Sequence, residues 1–183
     1  MVDAITRQPA LDAARLVRGE HAGAALSLKT PLLHYSFRGA HQAALLAGAA
    51  LDMVLPTTAC HAVQGGHAAA LWLGPDEWLL IAATDIEPAL AAALRSHPYA
   101  LVSIGHRHTT LCISGNLATR VLSAGCPLDL TDPAFTVGMC TRTVLAKAEI
   151  IVWKIAPYQF DVMCWRSFAP YVWDFLVEAR ARQ

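Results

Sequence analysis

Ala69-Ala70-Leu71-Trp72-Leu73, then Gly74-Pro75-Asp76, then Glu77-Trp78-Leu79-Leu80-Ile81-Ala82-Ala83 follow one another without interruption, and this stretch decides the fold. Two apolar runs of strand length joined by three turn-forming residues read as a β-hairpin. Asp85, directly after it, can cap a helix running from Ile86 to about Arg95. Upstream, Leu32-Leu33-His34-Tyr35-Ser36-Phe37 reads as a strand. Arg38-Gly39 then opens an alanine-rich helix from about Ala40 to Val54, stopped before Pro56. Residues 57–67, with Gly65-Gly66, read as a loop, and 99–104 as a further strand.

The same order begins again downstream. Residues 108–113 alternate as a strand, and Ser114-Gly115 opens a helix to Ala124 with Gly125 placed as its C-cap. After a loop over 126–138, strands at about 140–147, 149–155 and 159–164 lead into a helix over 168–181. Phe37-Arg38-Gly39 falls on Ile113-Ser114-Gly115, and Gly74-Pro75 before Trp78 falls on Ala156-Pro157 before Phe160. Both halves therefore read βαββα, with an additional strand after the first. The expected fold is α+β, built from duplicated split βαβ-like units, with antiparallel or mixed sheets carrying helices on one face. It is read as a single domain over residues 1–183, with halves at about 31–104 and 107–181. An N-terminal arm of residues 1–30 carries a short helix at 9–18, set by Pro9 and Gly19.

In 183 residues, 55% are hydrophobic and only 15% charged, the reverse of a disordered chain. Lys+Arg and Asp+Glu both total 14, so the net charge is zero and no basic field exists to attract nucleic acid. The longest uncharged apolar run, Ala43 to Leu51, is far below the roughly 20 residues that span a membrane. Met1 to Gln8 carries no apolar signal-peptide core. Five cysteines without close pairing read as small core hydrophobes of a reduced, cytoplasmic protein. So apolar a chain is short of polar residues to cover its surface, which is expected of a subunit that leaves apolar area for its neighbours.

Phosphate-cradling GxxxxGK[ST] and GxGxxG loops are missing, as is GxSxG. Cys60, His61 and His67 form the densest metal-like cluster, but without zinc spacing they read as a solvated polar loop. His106 and His108 share a face only if one strand holds both. Asp76-Glu77 diverge in a hairpin turn, and Asp129 and Asp132 read as loop residues beside prolines. No catalytic, cofactor or metal residue is assigned. The final helix presents Phe168, Tyr171, Val172, Phe175, Leu176 and Ala179 as one stripe facing a sheet, with Ser167 as N-cap and Pro170 in the first turn. Trp173 and Val177 lie off that stripe, in the core or at an interface. Arg166, at the helix entrance, is either an exposed charge or a bidentate partner for a carboxylate. Arg166, Trp173 and Val177 are the candidate interface residues.

Four motifs in order resemble a known family. They are Ala70-Leu71-Trp72-Leu73-Gly74-Pro75-Asp76-Glu77-Trp78-Leu79-Leu80; Ser103-Ile104-Gly105-His106-Arg107 leading to Ile113-Ser114-Gly115; Leu122-Ser123-Ala124-Gly125-Cys126-Pro127-Leu128-Asp129-Leu130; and Arg166-Ser167-Phe168-Ala169-Pro170-Tyr171-Val172-Trp173. Over residues 25–180 the chain resembles the gamma subunit of heterotetrameric sarcosine oxidase. The resemblance implies a duplicated α+β fold similar to the folate-binding domain of the glycine-cleavage aminomethyltransferase family. It also implies a cytoplasmic complex with alpha, beta and delta subunits that oxidises sarcosine to glycine with oxygen. Hydrogen peroxide and formaldehyde, or methylenetetrahydrofolate, would be the other products. FAD, FMN, NAD, zinc and tetrahydrofolate would belong to the whole complex, and this chain would be a non-catalytic assembly subunit. The alternatives are a stand-alone folate-binding or aminomethyltransferase-like protein, which needs a pocket with an acidic residue that nothing in the sequence marks, and a metalloprotein using the Cys60 cluster.

Overall fold

The computed structural model describes residues 10–11 and 23–183, so the helix expected at 9–18 lies almost wholly outside the described residues. The elements, in chain order, are β1 (Ala25–Leu28), β2 (Leu33–Gly39), α1 (His41–Ala50), β3 (Ala62–Gly65), β4 (Ala68–Gly74), β5 (Glu77–Ala82), α2 (Glu87–Ala93) and β6 (Tyr99–Ser103). There follow β7 (His108–Ser114), α3 (Ala118–Ser123), β8 (Cys140–Leu145), β9 (Ala148–Ala156), β10 (Gln159–Trp165), a 3-10 turn (Arg166–Phe168) and α4 (Ala169–Ala181). Two of these were expected to be loop: β1, in the N-terminal arm, and β3. Both are four-residue edge strands, too short to show an alternating pattern.

Two five-stranded sheets form, in the orders β3-β4-β5-β2-β6 and β8-β9-β10-β7-β1, and every pairing is antiparallel. The two orders correspond strand for strand. Phe37 opposite Trp78 and Tyr35 opposite Leu80 in one sheet match Ile113 opposite Phe160 and Leu111 opposite Val162 in the other. The closing contacts match as well: Gly39 N–H donates to the Asp76 carbonyl and Gly115 N–H to the Tyr158 carbonyl, at 3.1 and 2.8 Å. The duplication read from two short motifs thus extends to register. Only the fifth position differs, because β6 follows its own half whereas β1 reaches the second sheet from the N-terminal side.

The layers run helix, sheet, sheet, helix. α1 and α2 cover Tyr35, Phe37, Ala70, Trp78 and Leu80, while α3 and α4 cover Leu111, Ile113, Ile150, Val152, Phe160 and Val162. The other two faces meet, with Leu71, Leu79 and Ile81 packed against Cys140, Ile151, Trp153 and Met163. Strands β4, β5, β9 and β10 are therefore buried on both faces. That is why they read as continuous apolar runs rather than alternating ones, and it absorbs part of the hydrophobic excess. No helix among the described residues is long and apolar enough to cross a membrane.

Helix α1 stops four residues earlier than expected. Asp52 adopts the left-handed conformation at φ 53°, Met53 N–H donates to the Gly48 carbonyl at 2.9 Å, and Asp52 N–H donates to the Ala49 carbonyl at 3.3 Å. This is a Schellman closure with Asp in the place glycine usually holds. The turn packs on the β3–β4 connection, where a Cβ on Gly65 would stand 3.2 Å from the Asp52 carbonyl oxygen. Gly125, expected as the C-cap of α3, directly follows the observed cap residue Ala124 and is not among the positive-φ residues. Its lack of a side chain makes room for the Phe175 ring, which would lie 2.4 Å from an added Cβ.

Candidate functional site

The inter-sheet layer does not close at one end. Ala68, Ala69 and the Gly65-Gly66 turn on one side, and Thr110, Trp153 and Asp161 on the other, leave a cavity of about 580 Å3, rimmed by Lys29, Thr30 and His67. Asp161 and Trp153 are direct cross-strand partners on β10 and β9, so their side chains stand side by side on one face. Asp161 is 4% exposed and Trp153 6%. Lys29 Nζ lies 2.6 Å from Asp161 Oδ2. Burial raises the Asp161 acid above the ordinary carboxylate range, and the Lys29 hydrogen bond and charge only partly offset this. Asp161 Oδ1 and Trp153 Nε1 are both buried without a hydrogen-bond partner among the described residues.

Sequence reasoning missed Asp161. The available signal was a lone acid inside the apolar strand Gln159-Phe160-Asp161-Val162-Met163-Cys164-Trp165, since a charge in a central strand is expensive unless something answers it. Lys154, on β9, is a parallel case on the helix-covered face. At 1% exposure, its Nζ donates to Asp132 Oδ1 at 2.9 Å and to the Phe135 carbonyl at 2.7 Å, and lies 5.4 Å from the Phe160 ring centroid.

A second, smaller cavity of about 270 Å3 lies between the β1–β2 connection and β7, bordered by His34, His108 and Arg166. The two imidazoles are 6.0 Å apart between centroids. Burial lowers the His34 pKa to about 4, with a backbone contact at Leu32 opposing it. His108 is also lowered to about 4, by burial first and then by the neighbouring His34 and Arg107. Both are neutral at pH 7. The buried thiols are unreactive as well: burial pushes Cys140 and Cys164 up to about 12 and raises Cys112, which sits opposite Asp161. The described residues thus place buried hydrogen-bonding groups beside cavities open at one end, with no activated nucleophile among these thiols.

The other sequence candidates are spread apart. β3 separates Cys60-His61 from His67, which sits in the following turn, by roughly 16 Å of extended chain. No three metal-binding side chains gather among the described residues. His106 lies exposed in a turn while His108 begins β7, so one strand does not hold both. Asp76 receives two 3.0 Å hydrogen bonds from Arg38 Nη2, and Glu77 pairs with Arg142 of β8, tying one sheet to the other. Asp129 closes its own loop onto Thr131.

Around α4 the reading is corrected in part. The buried face is Ala169, Val172, Trp173, Leu176 and Ala179, with Phe168 and Tyr171 at 43% and 40% exposure instead of facing the sheet. Trp173 is wholly buried, which realises the core alternative and corrects a direct partner contact by its indole. The stripe is turned because an entire indole fits beneath the helix and forces the first-turn aromatics outward. Val177 is half-buried against the same core, and Arg166 is half-buried, its backbone N–H donating to the Arg107 carbonyl at 2.8 Å. Ser167 does not cap α4, whose start has no side-chain cap and begins instead from the 3-10 turn. Asp85 does serve α2, accepting from Glu87 N–H at 3.0 Å and Tyr35 Oη at 2.8 Å.

The geometry defines a duplicated, four-layer α+β protein with a cavity between its sheets. The model of the "Sarcosine oxidase, gamma subunit family" matches residues 38–182, and the chain belongs to that family. It is 34% identical over 113 residues to the sarcosine oxidase subunit gamma of Corynebacterium sp. (strain P-1), covering 61% of this chain and 56% of that one. It is 33% identical over 113 residues to the subunit of the same name from Arthrobacter sp, with the same coverages. The chain thus spans about half the length of the curated relatives it matches. Its fold matches a chain of the heterotetrameric sarcosine oxidase from Corynebacterium sp. U-96 with TM-score 0.86 and 24% identity, covering 93% of this chain and 91% of that one. It also matches glycine cleavage system aminomethyltransferase T from Bartonella henselae with TM-score 0.65 and 11% identity, over 90% of this chain and 48% of that one. The expected kinship of fold with the aminomethyltransferase family holds.

Proposed function

We propose that the chain is the gamma subunit of a heterotetrameric sarcosine oxidase, a non-catalytic assembly subunit beside alpha, beta and delta chains. In this reading the complex oxidises sarcosine to glycine with oxygen, giving hydrogen peroxide and formaldehyde or, with tetrahydrofolate, methylenetetrahydrofolate. FAD, FMN, NAD and zinc reside in the other subunits. The observation that carries the reading is the fold match over nearly the whole of both chains, together with membership of the gamma family. The chain is taken as one domain with halves at 31–104 and 107–181, supported by the matched registers. A cytoplasmic site is supported by five free cysteines.

The docking face centres on the entrance to α4. Trp165, Phe168 and Tyr171 are each about two-fifths exposed around Arg166, and the Arg107 guanidinium lies 4.1 Å above the Trp165 ring. Exposed aromatics with Arg are the usual anchors of interfaces. Arg166 and Val177 border this face, and Trp173 supports it from within.

The test is purification of the tagged chain from its native cells. The reading expects alpha, beta and delta chains, identified by mass spectrometry, to come with it in fixed proportion, and sarcosine-dependent peroxide formation in the eluate. A monodisperse monomer that ignores those chains when they are supplied refutes it.

A further inference from the structure

We propose that Cys60 and Cys140 form an oxidation site, in which hydrogen peroxide converts the Cys60 thiol to a sulfenic acid and Cys140 resolves it to a disulfide that ties the two halves of the chain together. The proposal is independent of the subunit reading, since the pair lies within this chain and peroxide is supplied as a reagent in its test.

The seam at one end of the sheets brings the two cysteines together. His61 and Met139 are antiparallel bridge partners outside the named strands, which sets Cys60 opposite Cys140 and Ala62 opposite Gly138. Both flanking bonds are made: Cys140 N–H donates to the Cys60 carbonyl and Ala62 N–H to the Gly138 carbonyl, each at 2.8 Å. Residues opposed in this way hold their Cα atoms about 5.5 Å apart, inside the range of roughly 4.4–6.8 Å that a disulfide spans. The Cys140 sulfur is turned toward the seam. Its Sγ lies 3.7 Å from the Trp72 carbonyl oxygen, and Trp72 N–H donates to the His61 carbonyl at 3.0 Å. A strand residue's N–H and C=O face the same antiparallel neighbour, so the sulfur sits on the side of β4 along which Cys60-His61 runs. The Cys60 thiol is near enough that its charge, after burial, further raises the Cys140 thiol.

The two cysteines differ as the chemistry requires. Cys60 is half-buried and Cys140 fully buried, so peroxide from solution meets Cys60 first. Cys60 also holds φ 60°, a region that Gly, Asn and Asp enter more readily than cysteine, so backbone preference does not account for a cysteine there. In the first step the Cys60 sulfur attacks a peroxide oxygen, the O–O bond breaks, and the departing hydroxide leaves as water with the thiol proton. In the second the Cys140 sulfur attacks the Cys60 sulfur, the S–O bond breaks, and the departing hydroxide takes the Cys140 proton. Two thiols lose two electrons in all, and one peroxide becomes two waters. Burial slows the second step by disfavouring the thiolate, but the sulfur to be attacked lies directly across the bridge, and the uncharged disulfide suits an apolar surrounding.

The test treats the full chain with a small excess of hydrogen peroxide at neutral pH, alkylates the remaining thiols in denaturant and maps the peptides by mass spectrometry. The five free thiols are expected to fall by two, with one Cys60–Cys140 linkage that dithiothreitol reverses. Cys140→Ala removes the resolving sulfur, so dimedone, which traps sulfenic acid, should label Cys60 about tenfold more than in the wild type. Cys60→Ser should abolish both the linkage and the label. The proposal is overturned if all five thiols survive, if the linkage joins other cysteines or two chains, or if Cys60 passes to sulfinic acid without a disulfide. Equal dimedone labelling of the wild type and a folded Cys140→Ala chain overturns it too. The thiol count and the peptide map need no variant, so a variant that fails to fold does not rescue the idea.

Discussion

Lowering the pH from about 7.5 to about 5 should destabilise this protein through His34, and replacing that residue should remove the effect. His34 is 3% exposed and buried away from water, and the backbone at Leu32 only partly compensates the imidazolium for its lost hydration. Its pKa is about 4 in the folded chain against 6.5 when exposed. A group depressed in this way stabilises the fold above the unfolded pKa, and the contribution disappears as pH falls toward the folded one. Between those limits the unfolded chain holds a proton that the folded chain refuses. The loss amounts to about 2 kcal/mol at pH 5 and approaches about 3 kcal/mol below pH 4. His108, lowered to about 4 in part by His34 itself, adds a loss of the same sign. Asp161, whose acid is raised, opposes both on the acid side.

His34→Phe keeps a flat ring of similar size and binds no proton. Urea unfolding followed by tryptophan fluorescence at the two pH values gives the double difference, in which Asp161 cancels because both proteins carry it. The wild type should lose about 2 kcal/mol more than the variant. The variant also relieves the repulsion on His108 and flattens the acid limb further. Parallel acid limbs for the two proteins would refute the reasoning, since His34 would then ionise alike in folded and unfolded chains.

Other expectations follow from packing. Trp173→Ala should cost about 3–5 kcal/mol in thermal or urea unfolding, whereas Phe168→Ser and Tyr171→Ser should leave stability within about 1 kcal/mol and weaken association with the other subunits in pull-down. Gly115 has φ 120° and an added Cβ would stand 2.3 Å from the Gly23 carbonyl oxygen. Gly115→Ala should therefore lower stability by about 3 kcal/mol, read as a fall in Tm. Asp52→Gly relieves a non-glycine residue at the left-handed end of α1 and should stabilise by about 0.5–1 kcal/mol in the same assay. Lys154→Met keeps the buried stem without its charge and should change unfolding free energy by about 1 kcal/mol or less. Asp132→Ala removes the counter-charge and leaves the ammonium only the Phe135 carbonyl and the Phe160 ring, so it costs more, although the 64% exposure of the Asp132 side chain moderates the loss.

Local chemistry made most elements readable before any coordinates. The hairpin at Gly74-Pro75-Asp76 and its counterpart at Ala156-Pro157 depend on residues whose backbone preferences act at once and on apolar runs long enough to be unambiguous. The edge strands β1 and β3 were not readable, because four residues half-exposed at a sheet margin carry almost no periodicity. Helix α4 was placed correctly but its buried face only in part: Val172, Leu176 and Ala179 face the core as expected while Phe168 and Tyr171 do not, since a broad apolar arc allows several rotations and only the shape of the sheet beneath selects the one that takes in Trp173. The two motifs behind the duplication were legible for a different reason: they hold equivalent turns, and turns conserve their chemistry through local geometry.

The candidate site had no such local mark. Asp161 and Trp153 are eight positions apart in sequence and become neighbours only through the β9–β10 register. Their cavity needs small residues contributed by the other half of the chain. Family resemblance, fold class and the order of elements were thus determined by the sequence alone, because patterns along the chain carry them. The pairing of the sheets, the entry of β1 into the second sheet, the buried Trp173 and the polar pair in the cavity were decided by tertiary structure, because each depends on contacts between residues far apart in the chain.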